Sequence, residues 1–145
     1  MSKPPSPLLQ RLASLVVKEG VAIGGLSAED RALALALVWA ALPASPCTEI
    51  EVNEVLREQL SGPACCLGTD HVELRRWLVD GGWLQRDGFG REYRRVDATA
   101  LPAERQALAA ALAPLDTAAW VRAERSALAA RRAARRRQWQ EEVGV

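Results

Sequence analysis

Residues 48–96, TEIEVNEVLREQLSGPACCLGTDHVELRRWLVDGGWLQRDGFGREYRRV, decide how this chain folds. Thr48 and Glu51 stand as a T-x-x-E capping box, so a helix is predicted to start near Glu49, with Val52, Val55, Leu56 and Leu60 on its buried face. Ser61-Gly62-Pro63 stops it. Asp70 followed by Glu73 predicts a second capped start, with Leu74, Trp77 and Leu78 facing inward, and Gly81-Gly82 as the exit into a strand. Trp83–Arg86, the Asp87-Gly88-Phe89-Gly90 tip and Glu92–Val96 then read as a hairpin. Helix, connection, helix, hairpin is the outline of a winged helix-turn-helix, a fold that commonly places its second helix in a DNA groove.

The arginines suit that outline. Arg75 and Arg76 follow Leu74 on the second helix, and Arg86, Arg91, Arg94 and Arg95 lie on the hairpin. Guanidinium groups pair bidentately with phosphate and with guanine edges, so these six are expected to serve DNA contact. Two considerations oppose this. Residues 48–96 hold nine acidic and seven basic groups, and Arg75 or Arg76 could instead pair with Glu73, Asp80 or an acid of the preceding helix. Arg94 and Arg95 are neighbours on a strand, so only one of them can meet a given ligand surface. Trp77 and Trp83 are expected in the core, Asn53 as a tie to a neighbouring backbone, and Tyr93 as half-buried on the hairpin.

The same residues resemble the family named domain of unknown function 2087. The resemblance rests on Glu51-Val52-Asn53, then Asp70, Leu74-Arg75-Arg76 and Leu78-Val79-Asp80, then Gly82, Leu84 and Arg86, then Gly90, Tyr93 and Arg95. Arg94 departs from the pattern, which has an aromatic beside the tyrosine. The resemblance implies a winged-helix-like bacterial domain associated with transcriptional regulators. It equally implies the alternative of a sensor or dimerisation part, since some members are joined to separate DNA-binding domains.

The flanks are helical. Leu8–Lys18 carries apolar residues at helical spacing, and Gly20 ends the run. Ser27 and Asp30 open a helix running to about Leu42, where Pro43 stops it, and the run of leucines within it predicts burial on most sides or a dimer contact. Pro102 and Ala103–Ala113 predict a further helix, broken by Pro114. Asp116 or Thr117 then caps a long arginine- and alanine-rich helix to about Glu142. Arg122–Arg137 holds seven arginines against one glutamate, spread around much of the helical wheel. Arg131, Arg132, Arg135, Arg136 and Arg137 would add nonspecific, salt-dependent affinity for phosphate, or the helix would pack on a second copy through Ala123, Ala127, Ala130 and Ala134.

The expected architecture is therefore α+β and mostly α. A disordered 1–7 precedes one globular domain at 8–114, with the winged-helix-like core at 48–96 and the Arg/Ala-rich helix at 115–145. Net charge of +1 excludes a general polycation, so attraction to nucleic acid must come from local clusters. Three cysteines, and a start at Met1–Pro7 with no apolar region, point to a reducing cytoplasm and away from a signal peptide. Ala32–Leu42 is too short to span a bilayer. Cys47, Cys65, Cys66 and His71 lack the spacing of a zinc knuckle, and neither a metal nor a redox role is expected of them. With one histidine and no phosphate loop, neither an enzyme nor a cofactor site is expected. The partner expected is double-stranded DNA, bound by a small transcriptional regulator. The alternative is a protein-interaction or homodimerisation module on the same scaffold.

Overall fold

A computed structural model describes residues 6–89 and 91–144. The chain opens with α1 (Pro7–Val16), whose proline occupies the first turn, where no N–H is needed, while Ser6 Oγ accepts from Leu9 N at 3.2 Å. Part of the segment expected to be disordered thus forms the cap and first turn of a helix, and residues 1–5 lie outside those described. Gly20, at φ +60°, turns the chain out of this element. Helix α2 (Ala28–Trp39) starts at the Ser27 cap. Leu33 through Trp39 are all buried, so α2 is the central helix against which the other layers assemble.

Both capping signals in the central stretch are realised. Thr48 and Glu51 exchange side-chain and backbone hydrogen bonds at the start of α3 (Glu49–Ser61). Asp70 accepts from Glu73 N at 2.8 Å at the start of α4 (His71–Asp80). Val52 and Leu56 of α3, and Leu74 and Leu78 of α4, enter one core. Trp77 is only partly buried, covered by the Arg31 guanidinium 4.9 Å above its ring.

Gly82, at φ +78°, leads into Trp83 and the hairpin of β2 (Leu84–Arg86) and β3 (Glu92–Arg95). The carboxylate of Asp87 shapes the turn by accepting from Phe89 N and Arg91 N; the tip residue Gly90 lies outside the described residues. Just before α3 lies β1 (Cys47–Thr48), a strand not anticipated from the sequence. It pairs with β3 through Cys47 opposite Tyr93, giving an antiparallel sheet in the order β1-β3-β2. From α2 onward the order of helices and strands is helix, strand, helix, helix, strand, strand, so the fold is α+β and mostly α with one small antiparallel sheet.

Two helices complete the described residues. Helix α5 (Ala103–Leu112) packs on α2 and α1, and α6 (Thr117–Glu142) begins at the Asp116 cap and packs on α1. The core centres on Trp83, which has no exposed surface and lies 6.3 Å from Trp39, ring centre to ring centre. Arg105 of α5 closes this corner: its guanidinium sits 4.3 Å from the Trp83 ring, and Nη1 donates to Gly81 O at 2.6 Å. No helix among the described residues is long and apolar enough to cross a membrane.

Candidate nucleic-acid interface

The six arginines of α4 and the hairpin divide into two groups. Arg75 turns back towards α3, where Nη2 lies 3.0 Å from Glu49 Oε1 and Nη1 donates to Asn53 Oδ1. Its guanidinium also lies 5.8 Å from the Tyr93 ring, and only 17% of its side chain is exposed. The expectation that Arg75 projects towards DNA is therefore corrected: its charge is spent holding α4 to α3. Asn53 ties down this side chain and not a backbone group.

Arg95 is corrected in the same sense. It shares the core-facing side of β3 with Tyr93, so its guanidinium reaches under the sheet to the end of α2. There Nη1 donates to Leu42 O at 3.0 Å and lies 3.4 Å from Ala40 O, over the Trp39 ring at 4.7 Å. Tyr93 itself is fully in the core, deeper than the half-burial expected.

The other four are exposed. Arg76 of α4 and Arg86 of β2 open into one groove of about 300 Å³, lined also by Val72, Val79, Asp80 and Tyr93. Arg86 pairs with Tyr93 in the ladder and so faces α4; Arg94 pairs with Gln85 and occupies the other side of the sheet. At the tip, Arg91 lies 5.9 Å from the ring of Phe89, which is 84% exposed.

The long helix carries the second basic surface. Arg125 anchors it: Nη1 donates to Val16 O at 2.9 Å and Lys18 O at 3.2 Å, and Nη2 pairs with Glu19. From Ala129 to Gly144 every residue except Ala133 is exposed, including Arg131, Arg132, Arg135, Arg136 and Arg137. Steps of ~100° per residue put Arg131, Arg132, Arg135 and Arg136 within an arc of roughly 140°. That arc has the azimuth of Val121, the buried residue of α6, and of Trp139, which is 61% exposed. The arginines are thus more clustered than the sequence reading held. The face that packs on α1 continues as a basic strip around Trp139, with Arg137 apart from it and Ala123, Ala127, Ala130 and Ala134 on the other side.

Of the thiols, Cys47 and Cys66 are buried and Cys65 is half-buried; all three are unpaired. Burial, with the neighbouring Cys65 adding to it, pushes the Cys66 thiol up to about 11. His71 Nε2 lies 3.3 Å from Arg57 Nη2 on α3. Among the described residues, no three His, Cys, Asp or Glu side chains converge as metal ligands.

Residues 27–95, from the cap of α2 to the end of β3, match the model of a family described as uncharacterized protein conserved in bacteria (DUF2087). That stretch, a little under half of the chain, is similar to DUF2087. α1, α5 and α6 lie outside the match, and so does the basic strip. Neither curated proteins nor solved structures give a match to the chain.

Proposed function

We propose that this protein binds duplex DNA as a small cytoplasmic regulator, gripping phosphates more than reading bases. The observation that carries this is the convergence of Arg76 and Arg86, from two different elements, on one open groove between α4 and the hairpin. Neither has a hydrogen-bond or carboxylate partner among the described residues, so both are available to an anion. A helix reading bases would present several donors along its outer side. Here α4 offers Arg76 beside exposed Val72, Glu73 and Asp80, which suits positioning on a backbone better than sequence readout. Arg91 and Arg94 on the hairpin and the strip on α6 would extend the contact. The unpaired thiols suit a reducing compartment.

The test is fluorescence anisotropy on a labelled duplex at low and moderate salt. Wild type is expected to bind and to weaken with salt; Arg76→Ala/Arg86→Ala should weaken low-salt binding, whereas Arg75→Ala, in a chain that remains folded, should not. Absence of binding at low salt would end the proposal.

A second reading, a homodimerising interaction module, is favoured by the exposed alanine face of α6 and by the inward turn of Arg75 and Arg95. It uses the side of α6 away from the arginines. Sedimentation of wild type against Ala130→Glu/Ala134→Glu separates it from the first.

A further inference from the structure

Outside the basic surfaces, the described residues enclose a cleft of about 480 Å³ where the end of α2, the segment after β3 and α5 meet. Its size falls within the range of small-molecule sites. Trp39 and the methyl groups of Ala40, Ala98 and Ala110 make the lining mostly apolar, and Gln106 contributes a polar edge. The charged group of the lining is Arg95. Only Nη1 of that guanidinium is engaged, with the carbonyls of Ala40 and Leu42, and no acceptor among the described residues holds Nη2 or Nε. The carboxylate nearest in sequence, Asp97, acts on Arg95 through space but places its hydrogen bonds elsewhere, accepting from Thr99 N at 2.9 Å and Thr99 Oγ1 at 2.7 Å. A partly buried cation held by carbonyl dipoles and an indole face, with a carboxylate near it but none in contact, keeps donors open to a further acceptor.

We infer that this cleft is a binding site for a small carboxylate with an apolar body, its carboxylate meeting Arg95 and its hydrocarbon part lying over Trp39 and the α5 alanines. Arg95 supplies the charge selectivity, because an arginine fork matches a carboxylate in geometry as well as in sign. The alanines leave the volume that larger side chains would fill. One wall belongs to the stretch that matches DUF2087 and the other to α5, outside the match. It stands whether or not the chain binds DNA.

The test uses the isotopically labelled full chain, titrated with benzoate and with hexanoate while NMR follows the Trp39 indole N–H, which donates to Val96 O at 2.8 Å, and the Gln106 side-chain amide. Saturable shifts with both carboxylates are expected, with benzamide at least tenfold weaker. Ala110→Phe fills the cleft from an exposed position on α5 and should abolish the shifts while the thermal midpoint holds. Arg95→Gln should weaken benzoate without weakening benzamide. Several results would overturn the inference: no saturable shift in the millimolar range, equal affinity for benzoate and benzamide, or binding that survives Ala110→Phe. Ligand-free broadening of the same signals with protein concentration, removed by Ala110→Phe, would overturn it by assigning the cleft to a second copy of the chain.

Discussion

Arg75 and Glu49, twenty-six positions apart, hold α4 against α3 through an ion pair at 3.0 Å, reinforced by the hydrogen bond from Arg75 to Asn53. The pair is unequal in exposure, 17% of the arginine side chain against 47% of the glutamate, so the carboxylate half is largely screened by water. Most of the stabilisation then comes from the half-buried charged hydrogen bond to Asn53. Arg75→Ala is expected to lower the unfolding free energy by about 1–2 kcal/mol. Arg76→Ala, one residue along and exposed, should stay within about 0.5 kcal/mol of wild type. Urea unfolding of the two variants checks this, and equal effects would contradict the assignment of the two side chains.

Salt dependence offers a sharper view of the groove. Each phosphate neutralised contributes about 0.9 to the slope of log affinity against log salt on duplex DNA. If Arg76 and Arg86 each meet a phosphate, removing both should lower that slope by about 2. Arg75→Ala should leave it unchanged. Anisotropy titrations over a salt series give the slopes directly, and a double variant with the wild-type slope would show that the groove faces something other than the backbone.

Much of the central fold was legible because its signals are local. The Thr48/Glu51 and Asp70/Glu73 caps, the spacing of Val52 and Leu56, and the two glycines after Asp80 act within a few residues, and each marks its element where the structure has it. β1 was not legible: Cys47 and Thr48 carry no periodicity, and what makes them a strand is Tyr93, far along the chain. The fate of the twin arginines was half legible. Helical spacing says that Arg75 and Arg76 diverge by ~100°. Which of them meets Glu49 depends on how α4 crosses α3, a tertiary fact. Strand alternation likewise separated Arg94 from Arg95, but only the docking of the sheet on α2 decided that Arg95 points inward.

The distal half of α6 is expected to be dispensable for folding. Its residues from Arg131 onward are almost all exposed, and the anchor, Arg125, precedes them. Truncation before Arg131 should shift the thermal midpoint by no more than about 2 °C. On DNA it should reduce the salt slope by about 4.5 if all five arginines act. Arg125→Ala removes bonds to Val16 O and Lys18 O and should cost about 1–2 kcal/mol. Differential scanning calorimetry compares the two, and a larger loss on truncation than on Arg125→Ala would mean that the strip packs on the protein itself.

Cys66 gives a prediction in pH. Its ordinary thiol value of 9.0 is raised to about 11 in the fold, first by burial and then by the adjoining Cys65. The fold therefore favours the neutral thiol. Below pH 9 both states keep the proton and stability is level with respect to this group. Between pH 9 and 11 the unfolded chain releases its proton while the folded chain retains it, so the unfolding free energy should fall as pH rises through this window. The loss should not exceed about 2–3 kcal/mol, from ~1.4 kcal/mol per pH unit. Cys66→Ala should be less stable at neutral pH, since it leaves a small cavity, yet show a flatter decline from pH 9 to 11. In parallel, a thiol reagent at pH 8 should label half-buried Cys65 well before Cys66, which is 2% exposed. Urea unfolding at several pH values gives the slopes, and identical slopes for wild type and Cys66→Ala would show that this thiol titrates as freely in the fold as in the unfolded chain.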